Sequence, residues 1–390
     1  MPRGAARYSK KDPISPPAFD RRDPISPARF DTGDRITATP IAPCGRMGGE
    51  LVVIQEQRGV QMRKVRFGIL GCADIAIRKL IPGILSSETG ELYAVASRDG
   101  AKAEDVARRF GAPRAYASYE ELLRDPDVDA VYIPLPNHLH KPWTIHAAEA
   151  GKHVLCEKPI ALDAREAQAM VDACRAHGVY LAEAFMYRHH PRYNRVLELI
   201  QAGAIGPVRG MRGSFTFNNA ADRGNIRFRR DWGGGSLYDV GCYPISAARL
   251  ILGEEPVAAT AHAFFSPDHD GVDMYLAGLV EFAGGVSLTF DCGMWAADRN
   301  EVEIIGVNGR LILEHAFLGE PVTLRVVSPE GERVETFDAL DPYALEVDDL
   351  GRAILEGKPL RFPPEDAVAN MRVLDACLLS ARTGRRVAIE

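Results

Sequence analysis

From Val65 onward, short apolar runs alternate with amphipathic stretches of helical period. The runs Val65 to Leu70, Leu92 to Ala96, Ala130 to Ile133, His153 to Cys156 and Val179 to Ala182 read as strands. Between them, Asp74 to Leu85, Ala101 to Phe110, Tyr119 to Leu123, Pro142 to Ala150 and Asp163 to His177 read as helices. Strands and helices in strict alternation predict a parallel sheet with right-handed crossovers over residues 63–185. After a helix at Arg192 to Ala202 the pattern changes to strands joined by turns: Val208 to Phe217, Val257 to Phe264, Met274 to Phe282, Val286 to Phe290, Val302 to Ile305 and Arg310 to Glu314. Ala283-Gly284-Gly285 and Asn308-Gly309 read as hairpin turns, so residues 186–390 are expected to form an α+β domain with a mostly antiparallel sheet and helices on one face. A last amphipathic helix, Glu365 to Arg382, precedes Val387-Ala388-Ile389.

Residues 1–62 lack this patterning. They are rich in Pro, Arg, Asp and Gly, and Asp12-Pro-Ile-Ser-Pro-Pro-Ala-Phe-Asp20 recurs nearly unchanged as Asp23-Pro-Ile-Ser-Pro-Ala-Arg-Phe-Asp31. The segment reads as a disordered extension, the alternative being an arm that folds on a partner. The whole chain of 390 residues exceeds what one core fills, consistent with two domains. A net charge of -6 gives no reason to expect nucleic acid or an anionic membrane as partner, and leaves a small molecule as the default. Seven scattered cysteines without a C-x-x-C argue against a disulfide framework or a zinc site and fit a reducing cytosol. Arg21-Arg22 is followed by Asp-Pro-Ile-Ser-Pro where an export signal would be apolar, and no membrane-length apolar run occurs, so a cytoplasmic location is expected.

Chemistry concentrates at strand ends. Glu157-Lys158-Pro159 follows the run His153 to Cys156, and the proline biases Lys158 to an extended conformation at the carboxyl end of a strand, where open α/β sheets bind ligands. Gly68-Ile-Leu-Gly71-Cys72-Ala73-Asp74-Ile75-Ala76 joins the first strand to the first helix. It lacks the third glycine of G-x-G-x-x-G, yet its small residues would let amides approach a pyrophosphate at the helix N-terminus, so 63–185 reads as a Rossmann dinucleotide-binding domain. The second strand ends Ala96-Ser97-Arg98-Asp99 rather than in the single acid of an NAD site. Ser97, Arg98 and Lys102 suit a 2′-phosphate, predicting NADP; Asp99 leaves NAD open.

These motifs, with Pro134-Leu135-Pro136-Asn137-His138-Leu139-His140 and Gly233-Gly-Gly-Ser-Leu-Tyr-Asp239-Val-Gly-Cys-Tyr243-Pro, make residues 63–390 resemble the Gfo/Idh/MocA oxidoreductases. The resemblance implies an N-terminal Rossmann domain and a second domain with a large open sheet that packs against a partner subunit, hence a homo-oligomer. It puts Lys158 against substrate and nicotinamide, and Pro134, Leu135, Asn137, His140 and Glu157 on the cofactor side, with no metal. Many members carry D-x-x-x-H, whereas here the stretch is Asp239-Val-Gly-Cys-Tyr243. That departure resembles the branch containing NADP-dependent D-xylose dehydrogenase, dimeric dihydrodiol dehydrogenase and glucose-fructose oxidoreductase.

The expected chemistry is hydride transfer between nicotinamide and a secondary alcohol or hemiacetal of a sugar or cyclic diol. In this reading Tyr243 exchanges the proton, Lys158 orients the hydroxyl and lowers the Tyr243 pKa, and Asp239 binds substrate or fixes the site, a helix-capping role being the bland reading for Asp239. Arg188 faces either the cleft, as a substrate contact, or an interdomain salt bridge. The triple glycine serves close backbone approach or a flexible substrate loop. Two alternatives stay open: a non-catalytic nucleotide sensor of the same fold, and an NAD-dependent glycosidase.

Overall fold

The structure, a computed structural model, describes residues 63–390; the expected N-terminal extension lies outside the described residues. The first sheet has six strands: β1 Val65–Leu70, β2 Gly90–Ala96, β3 Arg114–Tyr116, β4 Ala130–Ile133, β5 His153–Glu157 and β6 Leu181–Ala184. Their order is β3-β2-β1-β4-β5-β6 and all pairings are parallel. Helices α1 Ile81–Ser86, α2 Gly100–Phe110, α3 Tyr119–Arg124, α4 His140–Glu149 and α5 Ala164–Ala176 form the crossovers. The order reverses between β1 and β4, the topological switch point at which such sheets bind ligands. β4 is buried at every position, as a strand covered on both faces must be.

The short α1 is preceded by a π-turn, Ala76–Leu80, so the chain leaves β1 through a widened helical turn. Capping follows sequence: Asp99, Ser118 and Asp163 each accept a backbone N–H at the start of α2, α3 and α5. The short strand β3 escaped the pattern reading because Arg114-Ala-Tyr116 is only three residues long and half exposed. β6 lies two residues beyond the expected run, starting at Leu181 rather than Val179.

α6 Pro191–Gln201 leads to a second sheet of nine strands. These are β7 Val208–Asn218, β8 Ala258–Phe265, β9 Asp273–Glu281, β10 Ser287–Gly293, β11 Trp295–Gly306, β12 Arg310–Glu314, β13 Thr323–Ser328, β14 Gly331–Thr336 and β15 Val387–Ala388. The order is β14-β13-β12-β11-β7-β10-β9-β8-β15, antiparallel except for the β7–β10 pair. The strand reading omits β13 and β14: Gly331-Glu-Arg-Val-Glu-Thr336 is almost wholly polar and exposed, an edge strand carried by its hairpin rather than by burial, whereas β13 buries Leu324 and Val326 in the alternation of an ordinary strand.

Helix α7 Cys242–Leu252 packs on β7, and α9 Pro364–Thr383 packs on β8 and also on α5 of the first sheet. α8 Pro342–Glu356 packs on α1. Two C-terminal helices therefore clamp the two sheets into one continuous core. The six described cysteines are free and buried. No described helix is long and apolar enough to cross a membrane.

Candidate active site

A cleft of ≈ 680 Å³ opens at the carboxyl ends of β1, β4 and β5, between the two sheets. One wall is the turn Ala73 to Ile75 with Pro134 to Asn137; the floor is Glu157 and Lys158; the far wall is Phe215, Phe217, Asn225 to Arg227, Trp232 to Gly235, Asp239, Tyr243 and Tyr343. Gly71, at φ 119°, makes the β1 turn possible: a Cβ there would lie 3.0 Å from Leu135. The turn thus stays open toward the cleft. Cys72 is buried beside Ser97 and Lys102, which raises its thiol pKa by burial against the lysine's charge. Arg98 stands exposed at the end of β2 beside the Tyr119 hydroxyl. Asp99 accepts the Lys102 N–H at 3.2 Å as the cap of α2. A backbone cradle without side chains, followed by exposed Arg98 and Lys102, fits a dinucleotide with an extra phosphate.

Lys158 reaches across the floor. Its Nζ donates to the Asp239 carbonyl at 2.7 Å and lies 3.7 Å from Asp239 Oδ1, while Arg227 Nε donates to Asp239 Oδ2 at 2.7 Å. Burial would lower the Lys158 pKa, but Asp239 and other acids outweigh it and hold the group above its ordinary value. Burial likewise pushes Asp239 up, and Arg227 with Lys158 brings it below the usual carboxylate range. The site therefore holds a fixed ammonium, an ionised carboxylate and a guanidinium.

Asp239 sits on a π-turn, Leu237–Gly241, that runs into α7. The triple glycine shapes it by close approach: a Cβ on Gly235, at φ 122°, would lie 2.1 Å from Asp273 Oδ1. Asp273 in turn accepts from Ser236 Oγ and the Leu237 N–H, both at 2.7 Å, and burial raises it to about 6. Asn137 Nδ2 donates to the Gly233 carbonyl at 2.8 Å, tying the β4 loop to this run. Of the two uses expected of the glycines, close packing is the one observed.

Glu157 is locked from below. Tyr132 donates to its Oε1 at 2.5 Å and the Lys158 N–H to its Oε2 at 3.3 Å, while burial raises its pKa against the pull of Lys158.

Three expectations need correction. Lys158 does not lower the Tyr243 pKa here. Its ammonium lies 5.0 Å from the ring centroid and is engaged by Asp239, while the Tyr243 hydroxyl points to Met186 Sδ at 3.9 Å. Burial, with Cys242, Glu157 and Asp239, raises the phenol well above 10. Arg188 does not face the cleft: it is 4% exposed, donates to Ser246 and Asp366, and stacks on Phe185 and Phe362. Its charge partner is Asp366 on α9, within residues 186–390, so the pair is a buried salt bridge but not one between the two expected domains. His140 is fully buried and lies behind the cleft wall, with Nε2 2.7 Å from the Leu135 carbonyl and Nδ1 3.0 Å from that of Pro159. Burial lowers it to about 4, so the neutral ring, with one N–H, donates to one of the two carbonyls and packs against the other, outside the cleft lining.

Sequence reasoning gave no role to Arg227 or Tyr343. Arg227 was visible only as a residue just before the triple glycine, and Tyr343 lies at the start of α8 with no motif around it.

Residues 65–185 match the GFO/IDH/MocA oxidoreductase family with its NAD-binding Rossmann fold, and residues 193–312 match the GFO/IDH/MocA C-terminal domain. The chain is 41% identical over 328 residues to D-xylose 1-dehydrogenase (NADP(+)) 2 of Haloferax volcanii, covering 83% of this chain and 99% of that one. Among solved structures it resembles the aldose-aldose oxidoreductase of Caulobacter crescentus complexed with glycerol, with TM-score 0.79 and 30% identity over 84% of this chain and 100% of that one. It also resembles a 3-ketoreductase of Actinomadura kijaniata in complex with TDP-benzene and NADP, with TM-score 0.74 and 33% identity over 83% and 98% of the two chains. With both domains matched in order, and relatives matched over almost their whole length, the chain belongs to the GFO/IDH/MocA oxidoreductase family.

Proposed function

We propose that the protein is an NADP-dependent oxidoreductase acting on a secondary alcohol or hemiacetal of a sugar or cyclic diol, or on the corresponding carbonyl. The observation that carries this reading is the Lys158 ammonium, fixed by Asp239 on the cleft floor between the Ala73 to Ile75 turn and the Tyr243 wall. Gly71 to Ile75 would cradle the pyrophosphate, Pro134, Leu135, Asn137 and Glu157 would border the nicotinamide half, and Ser97, Arg98 and Lys102 would hold the 2′-phosphate. The chemistry supplied by the bound cofactor is hydride donation or acceptance at nicotinamide C4. The NADP named for the Haloferax and Actinomadura relatives supports that choice.

The chain's own residues manage charge and protons. Lys158 donates a hydrogen bond to the reacting oxygen and stabilises negative charge that develops on it. Tyr243, kept protonated by burial, is set to give its proton to a carbonyl oxygen in the reductive direction. Asp239 aims Lys158, Arg227 aims Asp239, and Glu157 with Tyr132 holds the turn from which Lys158 leaves β5. Phe215, Phe217 and Trp232 line the cleft with apolar surface that suits a sugar ring face and limits water.

In this reading residues 63–185 hold the cofactor, and 186–390 hold the substrate and a partner subunit. The nine-stranded sheet supports the latter, since the face carrying Arg212, Arg299, Glu301, Glu303, Arg310 and Arg325 presents both signs and can meet a second copy across a two-fold axis. The acidic net charge and the buried free thiols support a cytoplasmic enzyme with neither nucleic acid nor membrane as partner.

Reduction of NADP+ and NAD+ with D-xylose, D-glucose and a trans-dihydrodiol tests the function, and Lys158→Met tests the site. The variant is expected to lose turnover by at least about 10²-fold while binding NADPH nearly as before. Retained turnover would remove Lys158 from the chemistry. Tight cofactor binding without turnover of any wider sugar panel would replace the enzyme by a sensor.

A further inference from the structure

Beside the cleft, sharing Leu318 and Tyr343 as a common wall, lies a second cavity of ≈ 300 Å³. Its charged and titratable lining comes from the π-turn after β1 (Arg78, Lys79), the start of α6 (His190, Arg192), the β12–β13 loop (His315, Glu320) and the cap of α8 (Asp341). Arg192 is 4% exposed. Its guanidinium donates to the carbonyls of Glu314, His315, Ala316 and Thr323 at 2.7 to 3.4 Å, and no described carboxylate pairs with it. Its Nε–H finds no acceptor. A buried cation with dipoles around it but no counter-charge is costly, and an anion nearby offsets that cost.

His190 points the same way. Its Nδ1 accepts the Arg192 backbone N–H at 3.1 Å, so the neutral ring carries its proton on Nε2, which has the Asp338 backbone beside it but no well-formed hydrogen bond. Arg78 has a carboxylate, Asp74, only at 3.7 Å with both groups largely in solvent, and Lys79 makes no ion pair among the described residues. Of the two carboxylates in the wall, Asp341 is engaged by the Tyr343 N–H at 3.0 Å. Glu320, the other, is exposed, and the three cations Arg78, Lys79 and Arg192 outnumber the two carboxylates around a space large enough for a phosphate group.

We propose that this cavity is a subsite for an anionic group carried by the substrate, a phosphate ester, with the reacting carbon at Lys158 and the phosphate beyond Leu318 and Tyr343. The proposal rests on the reading of the cleft given above. Its chemistry is shared by free inorganic phosphate, so the test separates the two sources. With the full-length protein and NADP+, KM and kcat are measured for D-xylose and D-glucose against D-xylose 5-phosphate and D-glucose 6-phosphate. The ester is expected to show a KM lower by about tenfold or more, and inorganic phosphate to compete with the ester but not with the neutral sugar. Lys79→Glu, a change of an exposed side chain outside the cleft, is expected to remove the preference while leaving kcat and KM for the neutral sugar unchanged, and Lys79→Arg to restore it.

No preference for the ester in the parent protein, with the neutral sugar turned over, overturns the proposal and leaves the reading of the cleft intact. A preference that survives Lys79→Glu overturns it as well. If no sugar is turned over, the reading of the cleft has failed, and a phosphate-dependent rise in Tm decides the subsite by itself. A rise lost in Lys79→Glu supports the anion site; no rise overturns it.

Discussion

At the scale of single residues, the site depends on a short ladder of charge: Arg227 to Asp239 to Lys158. The guanidinium comes first among the groups that hold Asp239 ionised against its burial. Arg227→Met should therefore raise the Asp239 pKa, and any rate that needs the ionised carboxylate should fall off at a higher pH than in the parent. The acid limb of kcat/KM against pH is expected to move upward by about one unit, a coupling of roughly 1.4 kcal/mol. An unmoved limb would show that Lys158 alone suffices. Lys158, Asp239 and Tyr243 were legible because each sits in a motif whose position in the chain is itself informative. The ladder was not, because it closes only when the turns Ile226–Phe228 and Arg230–Trp232 fold Arg227 back over Asp239. Arg188 misled for a related reason: an arginine after a strand end looks like a ligand contact until Asp366, on a helix far along the chain, takes its charge.

At the scale of elements, the lysine turn is held by groups that never reach the cleft. His140 packs between the Pro159 and Leu135 carbonyls and donates to one of them, and Glu183 on β6 accepts the Ile160 N–H at 2.9 Å. Burial, partly opposed by Arg188, raises Glu183 to about 7. A free glutamate titrates near 4.3, so the folded state binds the proton more tightly. The stabilisation linked to that proton is fully present below about pH 4 and is lost as pH rises through about 7. Glu183→Gln keeps an acceptor for Ile160 and removes the titration. Its stability relative to the parent should rise by roughly 2 kcal/mol between pH 5 and pH 8, read as the difference of two urea midpoints at each pH. A constant difference would mean that Glu183 is ionised throughout. Strand periodicity announced β5 and β6 but not these ties, since a glutamate in an apolar strand reads only as a pattern error.

At the scale of the molecule, the order of the chain and its packing disagree. α8 follows the last long hairpin of the second sheet, yet it rests against the first. Asp348 is the anchor. Buried on α8, it accepts from Ser87 Oγ at 2.6 Å, the Thr89 N–H at 2.9 Å and Thr89 Oγ1 at 2.8 Å, all in the α1–β2 connection. Gly351 permits the approach, for a Cβ there would lie 2.1 Å from Thr89 Oγ1. Strand–helix alternation made the first sheet visible in sequence, and strands joined by turns the second, but a polar connection and one aspartate on a helix carry no periodic signal that they belong together. The same contact predicts cooperativity: the two sheets should unfold in one transition, because separating them exposes the α1–α8 and α5–α9 seams of a shared core. Asp348→Ala strands the Ser87 and Thr89 hydroxyl donors, while the Thr89 N–H keeps Ser87 Oγ at 3.1 Å, and should cost about 2 kcal/mol. Calorimetry is expected to show one peak at lower temperature with KM for NADP unchanged, since Asp348 lines no part of the cleft. Two resolved peaks in the parent would show instead that each sheet holds its own core, and that α8 is a passenger on the first rather than its clamp.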